Sequence, residues 1–440
     1  MPKVDLLAYT GREQAYVKHC LLEEYLPEWG YKIGSQWDTL VYVDGFAGPW
    51  EVTSEDYSDS SFAVAVDALQ HSYLGHRDKW GRNINFRCIL VDEDKKAHGH
   101  LERYAKRKRI PGFEIYPLCG KFTERIPAIN KLVEKNAANY FKFVFLDPKG
   151  WSDIPMQEIS PFLKDRSCEV LINLMTKHIN RFSDEGDRAD SYHRLFGRDD
   201  VLEELRDVPR ENDERVEQAV KEYCRSLKQL CRFQYVSSAV ILEPEEESVR
   251  YFLVFATNHP RGVEVFKGAE MKAARVQDAV RHETRVRRTK QPELSFGGEA
   301  PKTRIAQALR GRYYQKAWEK VVRELLRSSS NQISYSDLFC EAMSFPLVTP
   351  ADLESWLGQL SKFVDIHLSG SKSRRKPSPS ENDYVIVRDQ LGLAARLPAG
   401  SFRICHIFAM STVAEITAAI EKLPAAEQQR LCKLPKLCEV

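Results

Sequence analysis

The stretch that decides the fold is residues 40–49, which read Leu-Val-Tyr-Val-Asp-Gly-Phe-Ala-Gly-Pro. Four apolar residues in succession predict a buried β-strand, and a carboxylate closes that strand at Asp44. Small residues follow at once, and glycines at such a turn let the backbone approach a ligand. We therefore expect a ligand site at the carboxyl end of this strand. A tight strand-to-helix turn without a ligand is the alternative interpretation.

Further strand-like segments flank this one along the chain. They are residues 86–91, 113–118, 141–146, 168–174, 235–242 and 251–257. Helical patterns at 13–29, 61–73, 93–108 and 122–137 separate the earlier strands, and this alternation predicts a parallel sheet covered on both faces. The last two strands are too close in sequence for a parallel crossover, so we expect an antiparallel hairpin at the sheet edge. The predicted fold is α/β, with the Rossmann-like, mostly parallel seven-stranded sheet of class I methyltransferases.

The composition places the chain among ordinary globular proteins. It has 440 residues, with 43% hydrophobic and 29% charged residues, which excludes a disordered or fibrous chain. Lys and Arg number 65 against 63 Asp and Glu, so any basic surface for nucleic acid must be local. We expect a methyltransferase-like domain at 1–290, a linker at 291–302, a winged-helix domain at 303–390 and a tail at 391–440.

The cysteines and the termini bear on where the protein works. The ten cysteines form no Cys-x-x-Cys pair, which argues against a zinc or redox motif, and we predict no metal site. No apolar run is long enough to span a bilayer, and the first residues have no signal-peptide pattern. The sequence therefore predicts a cytoplasmic protein with reduced thiols and no membrane partner.

A second carboxylate, Asp92, ends the second strand. An acid at this position hydrogen-bonds ribose hydroxyls of an adenosine ligand. The Gly-x-Gly-x-x-Gly pattern of dinucleotide-binding proteins is absent, which favours S-adenosylmethionine over NAD. The predicted cofactor-binding residues are Lys18, His19, Asp44, Gly45, Phe46, Ala47, Gly48, Asp92, Gly120 and Lys121.

The fourth strand ends in the sequence Asp147-Pro148-Lys149-Gly150-Trp151. Many amino-methylating enzymes carry an Asp-Pro-Pro-Tyr motif here, in which the Asp and the next carbonyl accept hydrogen bonds from the target amine. Position 149 is Lys and not Cys, so the nucleophile of cytosine-C5 enzymes is missing. We predict Asp147, Pro148 and Trp151 as catalytic residues, with Trp151 stacking on a flipped base; a core Trp under the loop is the alternative. Asn173, at the end of the fifth strand, is a further candidate for substrate contact.

The carboxyl-terminal part of the chain shows three helices followed by two strands, the winged-helix pattern. Lys372, Arg374, Arg375 and Lys376 lie between those strands, where a basic wing suits phosphate contacts. A solvated loop is the alternative. We predict these four residues as nucleic-acid contacts, to RNA or DNA.

Taken in order, these motifs resemble those of the bacterial three-Cys-motif partner proteins (TcmP) over roughly residues 10–390. The resemblance rests on Lys18-His19 with Tyr25-Leu26, and on residues 42–49, 146–151, 171–174 with 179–181, and 252–262. It implies a methyltransferase-like protein whose partner is a nearby-encoded three-Cys-motif protein. The Lys-His helix before an Asp-x-x-Ala-Gly loop is also partly similar to RlmJ-type adenine-N6 methyltransferases of 23S rRNA. Their Asp-Pro-Pro-Tyr motif is Asp-Pro-Lys-Gly in this chain.

These observations predict an S-adenosylmethionine-dependent methyltransferase that acts on an amino group of a nucleic-acid base. Two alternatives stay open at this point. In the first, the chain is a non-catalytic subunit that binds the cofactor together with nucleic acid or protein. In the second, it is a methyltransferase whose substrate is a partner protein.

Overall fold

The computed structural model describes most of the chain. It covers residues 6–48, 52, 54–137, 139–176, 187–206, 208, 213–246, 248–289, 304–328, 330–369 and 376–397. For residues 151, 187–189, 206, 213, 288–289 and 304–306 it describes the backbone alone. The predicted linker at 291–302 and the tail beyond residue 397 lie outside the described residues.

Helices and strands alternate through the first part of the chain, as the sequence predicts. The helices are α1 (Glu13–Gly34), α2 (Ser61–Trp80), α3 (Lys95–Lys108), α4 (Phe122–Glu134), α5 (Met156–Leu163), α6 (Asp187–Phe196), α7 (Val201–Arg206), α8 (Asp213–Leu230) and α9 (Pro260–Thr289). The strands are β1 (Thr39–Asp44), β2 (Asn85–Asp92), β3 (Phe113–Cys119), β4 (Phe141–Leu146), β5 (Cys168–Met175), β6 (Tyr235–Leu242) and β7 (Val249–Thr257). Each predicted strand overlaps an observed one.

The seven strands form one sheet in the order β3-β2-β1-β4-β5-β7-β6. Strands β1 to β5 pair in parallel. Strand β7 pairs antiparallel with both β5 and β6, so the predicted hairpin at the sheet edge is confirmed. From β1 the chain proceeds through β2 to β3 towards one edge of the sheet. It then returns to the centre at β4 and proceeds through β5 towards the other edge, so the strand order reverses between β1 and β4. In open α/β sheets, ligands bind at this reversal, outside the carboxyl ends of the strands.

Two hydrophobic cores cover the two faces of the sheet. Successive side chains of a strand point to opposite faces, and β1 shows the consequence. Leu40 and Tyr42 join the core beneath α1, α2, α3 and α9, whereas Val41 and Val43 join the core beneath α4, α5 and α8. Burial on both faces explains why β1 is apolar at consecutive positions, without alternation.

The carboxyl-terminal part has its own small sheet. Its helices are α10 (Arg304–Arg327), α11 (Tyr335–Met343), α12 (Pro350–Gln359) and α13 (Gln390–Ala394). Its strands are β8 (Gln332–Ser334), β9 (Val364–His367) and β10 (Tyr384–Val387), which form an antiparallel sheet in the order β8-β10-β9. The predicted pairing of the last two strands is therefore confirmed. The chain divides into one compact unit of Met1–Tyr314 with Met343–Thr349 and a second of Gln315–Ala342 with Pro350–Val440.

Within the described ranges, no helix combines the length and the apolar character that a crossing of the bilayer requires.

Candidate functional site

The loop after β1 is held between the two neighbouring strands. Gly45 donates a backbone hydrogen bond of 3.0 Å to Phe145 of β4, and Ala47 donates one of 2.8 Å to Val91 of β2. A Cβ at Gly45 would lie 2.7 Å from a methyl group of Leu146, so a larger residue here would force that side chain to move. This anchoring places Gly45 and Phe46 at the carboxyl ends of the central strands, where the strand order reverses.

Asp44 lies beneath this loop and shapes it. Its carboxylate is fully buried and accepts hydrogen bonds from the Phe46 N–H at 3.0 Å and from the Tyr42 hydroxyl at 3.3 Å. Burial raises the pKa of Asp44 to about 7, with a smaller upward contribution from Asp147 and opposing contributions from the Phe46 N–H and Lys18. In this structure the carboxylate binds the protein's own loop, so direct contact with a cofactor stays a prediction.

Asp92 occupies the equivalent position at the end of β2. It accepts a hydrogen bond of 2.8 Å from the Asp94 N–H, and its own carbonyl accepts one of 2.9 Å from the Gly120 N–H. Burial raises the pKa of this carboxyl, and the positive charge of Lys149 opposes the shift. Gly120 has a φ of +134°, in the region that favours glycine, and Lys121 then precedes the first residue of α4.

A single cleft of about 310 Å³ collects these strand ends. Gly45 and Phe46, Asp92, Gly120 and Lys121, and Asp147 line it from the ends of β1, β2, β3 and β4 respectively. Segments up to about a hundred residues apart in the sequence thus form one wall, as the parallel sheet predicts. The remaining lining residues are Glu93, Phe122, Thr123, Glu124, Lys149, Ser152, Asp153, Pro155, Glu158 and Arg194.

Asp147 is bound by two other residues at the end of β4. The ammonium of Lys18, from α1, donates to one carboxylate oxygen, and the amide of Asn173, from β5, donates to the other at 2.6 Å. Lys18 is buried, whereas about a fifth of the Asp147 side chain is exposed. The amide oxygen of Asn173 is buried and has no hydrogen-bond partner among the described residues. Pro148 is buried directly after the carboxylate.

Other predicted site residues lie away from the lining of the cleft. His19 follows Lys18 on α1 but is buried, with its Nδ1 2.9 Å from the Tyr9 hydroxyl, and burial holds its pKa well below the usual value. Ala47 and Gly48 belong to the loop after β1 but are buried, and neither lines the cleft. The side chain of Trp151 is outside the described part, so its predicted stacking role stays a prediction.

The predicted nucleic-acid contacts are only partly visible. Lys372, Arg374 and Arg375 lie outside the described residues, whereas Lys376 is exposed and forms an ion pair of 2.5 Å with Glu354 of α12. Described residues on either side of this segment share one hydrogen-bond acceptor. Asp383 accepts hydrogen bonds from the backbone N–H groups of Ser369, at 2.7 Å, and Ser378, at 2.8 Å.

Sequence reasoning missed part of the site. Arg194 of α6 and the segment Ser152–Glu158 line the cleft, but none belongs to a recognisable motif. Their positions follow from how α5 and α6 pack against the sheet, and no local pattern encodes that packing. Among the described residues, no three His, Cys, Asp or Glu side chains are grouped so as to hold a metal ion.

The sequence matches no family model and no curated protein. The site's geometry and chemistry therefore carry the functional argument.

Proposed function

We propose that the chain is an S-adenosylmethionine-dependent methyltransferase with a nucleic-acid base amine as its target. The observation that carries this proposal is the cleft at the strand-order reversal, where Asp92 and the turns after β1 and β3 meet Asp147. A carboxylate at the end of β2 is placed as in proteins that hydrogen-bond the ribose of an adenosine ligand. A volume of about 310 Å³ is within the range of small-molecule sites.

The charges around the cleft favour a cationic ligand. Six carboxylates line it, from Asp92, Glu93, Glu124, Asp147, Asp153 and Glu158, against three cations, from Lys121, Lys149 and Arg194. S-adenosylmethionine has a positive sulfonium and a positive ammonium, with one carboxylate. The pyrophosphate of NAD would instead meet an excess of negative charge. The lining therefore fits the adenosyl sulfonium cofactor better than a dinucleotide.

The sheet supports the same assignment. Five parallel strands with an antiparallel hairpin at one edge form the sheet that class I methyltransferases share. Because one fold serves many functions, this likeness raises the expectation without deciding the activity. The helix-strand-helix-helix-strand-strand order of the second unit supports a winged helix and, with it, a nucleic-acid target.

The residues around Asp147 support a role in orienting an amine. When held by Asp92 and the turns after β1 and β3, S-adenosylmethionine would supply an electrophilic methyl group for the amine lone pair, with S-adenosylhomocysteine as the leaving group and the amine proton released to water. A carboxylate offers about four acceptor positions, so Asp147 retains capacity after binding Lys18 and Asn173. Its contribution is to hold the amine in line with the methyl carbon, and positioning of this kind accounts for much of the rate in such transfers.

Two observations favour a second candidate, a non-catalytic subunit that binds the cofactor. Both oxygens of Asp147 already accept hydrogen bonds within the protein, and Lys149-Gly150 stands where amino-methylating enzymes have Pro and an aromatic residue. In this alternative, the Lys18–Asp147 ion pair is structural. The cofactor-bound subunit would then act by binding a partner, such as a three-Cys-motif protein, and methylation of that partner would belong to the separate alternative of a protein methyltransferase.

Calorimetric titration with S-adenosylmethionine tests the proposal. We expect binding by the wild type, binding about 10- to 100-fold weaker by Asp92→Ala, and an intermediate affinity for Asp92→Asn, which keeps an acceptor for the Asp94 N–H. The control is Glu102→Gln, which neutralises an exposed carboxylate of α3 outside the cleft and should not change the affinity. Titration with NAD should give no binding. Equal affinities for the wild type and Asp92→Ala, or no binding by the wild type, would contradict the assignment.

A further inference from the structure

A second and larger cleft opens at the other end of the strands, where the amino ends of β2 and β3 lie. Its volume is about 630 Å³, and Asn85 and Gly112, which lie at the amino ends of β2 and β3, contribute to its lining. Strand β2 runs from Asn85 at this cleft to Asp92 at the first one, and eight residues of strand span roughly 23 Å. The two clefts are therefore separate sites, and a ligand in the second cleft would bind independently of the proposed cofactor.

The second cleft has the opposite charge from the first. Arg87, Arg109 and Lys135 line it, with Glu114 as the one carboxylate among the lining residues. The side chain of Arg109 forms no hydrogen bond or ion pair with any described residue, and it is exposed. Lys135 is also exposed and contacts the Tyr116 hydroxyl at 3.4 Å, but it has no carboxylate partner in the described part of the chain. Two cations therefore face this cavity without being neutralised.

Arg87 is a rigid part of the cleft lining. Its residue is only 4% exposed, and its Nη1 donates to the carbonyls of Leu132 and Val133 at 3.1 Å each, at the end of α4. Its Nε lies 3.7 Å from a carboxylate oxygen of Glu114 and has no hydrogen-bond partner among the described residues. These contacts fix the guanidinium in place, so its positive charge has a defined position in the wall of the cleft.

We propose that this cleft binds phosphate groups, either of a nucleotide or of a nucleic-acid backbone. Three converging cations against one carboxylate favour an anion, and the planar guanidinium groups of arginine match the oxygens of a phosphate. Two further exposed cations, Lys106 and Arg107, lie at the end of α3, where the Arg107 guanidinium packs over the ring of Tyr57. A nucleotide would occupy the cavity alone, whereas a nucleic-acid backbone would extend beyond it.

The test measures binding of inorganic pyrophosphate and of a ten-nucleotide single-stranded RNA to the full chain. The variant is Arg109→Gln with Lys135→Gln, at two exposed positions whose replacement should leave the fold intact. The matched control is Lys79→Gln with Lys221→Gln, which removes two exposed positive charges from α2 and α8, outside the cleft. We expect the first variant to weaken pyrophosphate binding at least tenfold and the control to leave it unchanged. Affinity for S-adenosylmethionine should be unchanged in both.

The RNA measurements identify the source of the phosphate. If the cleft holds a nucleic-acid backbone, pyrophosphate competes with RNA, and the slope of affinity against salt falls by up to about 1.4 in the variant, since each lost single-strand contact contributes about 0.7. If the cleft holds a nucleotide, pyrophosphate binding weakens in the variant while RNA binding does not. The proposal is overturned if the wild type binds neither probe, or if the variant and the control bind both probes equally well.

Discussion

Lys18 and Asp147 form an ion pair across 129 residues of sequence, which joins the first helix to the end of the fourth strand. Asn173 binds the second oxygen of the same carboxylate, so α1, β4 and β5 all contribute to it. Both Lys18 and Asp147 are site residues that the sequence predicts, although for different roles. The structure brings them into contact, and this contact determines several of the expected effects below.

Loss of Asp147 should separate an enzyme from a cofactor-binding subunit. In Asp147→Ala, we expect affinity for S-adenosylmethionine within a few-fold of the wild type and methyl transfer reduced at least about 100-fold, because the interaction matters mainly in the transition state. The assay uses tritiated cofactor with total cellular RNA, DNA and protein as substrates. Asp153→Ala, at another acid of the cleft, is the control. Equal transfer by the wild type and Asp147→Ala would show that Asp147 is not catalytic. A wild type that binds the cofactor but labels none of the substrates would favour the non-catalytic subunit.

The charges near Asp44 should control its titration. Burial raises its pKa to about 7, Asp147 adds to the shift and Lys18 opposes it. Removing the cation in Lys18→Met should therefore raise the pKa of Asp44 further, and removing the negative charge in Asp147→Asn should lower it. Carbon NMR of the Asp44 carboxyl over a pH series measures both shifts, with Asp44→Asn identifying the signal. If the pKa of Asp44 in both variants equals that in the wild type, the ion pair does not act on Asp44.

A buried carboxyl in the core should make stability depend on pH. Glu169 accepts hydrogen bonds from Tyr25 at 2.6 Å and Thr257 at 2.8 Å, and burial raises its pKa from 4.5 to about 7. The folded state therefore binds more protons than the unfolded state between these values, so this residue's contribution to stability is lost as the pH rises through them.

Glu169→Gln resembles the protonated form and should not lose that contribution. The difference in unfolding free energy between variant and wild type should change by about 3 kcal/mol from pH 5 to pH 8, in favour of the variant. Urea denaturation at a series of pH values measures it, and Glu102→Gln should follow the wild type. Parallel pH profiles for Glu169→Gln and the wild type would contradict this expectation.

Replacing Lys267 alone should lower the stability of the protein more than replacing Lys267 and Glu270, its buried partner on α9, together. Lys267 donates to the Phe345 carbonyl at 2.6 Å and Glu270 accepts from the Leu347 N–H at 2.8 Å, so the pair also holds residues 343–349. Lys267→Met leaves a buried charge without its partner and should cost about 3–5 kcal/mol. Adding Glu270→Gln removes that charge, keeps an acceptor for Leu347, and should recover part of the loss in thermal unfolding. A double variant less stable than Lys267→Met would show that the charge is not the cause.

The basic segment of the second unit is tested by salt dependence. If Arg374, Arg375 and Lys376 contact phosphates, replacing all three with Gln should flatten the salt slope of nucleic-acid binding by up to about 0.9 per lost duplex contact, or about 0.7 on a single strand. Filter binding across a salt series measures the slope. Replacing Lys79 and Lys221 is the control. An unchanged slope in the triple variant would remove this segment from the interface.

Local patterns were sufficient to predict the sheet and the cleft at its carboxyl edge. An apolar run ending in a carboxylate predicts a buried parallel strand, and the carboxyl ends of parallel strands meet at one edge, so Asp92 and Asp147 were expected to lie together. Pairing of β9 with β10 was predictable because both are short segments rich in β-branched residues that flank one polar stretch of the chain.

The sequence by itself thus determined the strands, their parallel arrangement, the edge hairpin and the strand-end residues of the cleft, since these depend on periodicity and chain connectivity. Tertiary structure alone decided what each side chain contacts. Asp44 turned out to bind its own loop, His19 lies against Tyr9, and Lys18 pairs with Asp147, because helix rotation and packing set these contacts. The charge of the second cleft, from Arg87, Arg109 and Lys135, also arises only when β2, the end of α3 and the end of α4 come together. No pattern within any one of those segments encodes that meeting.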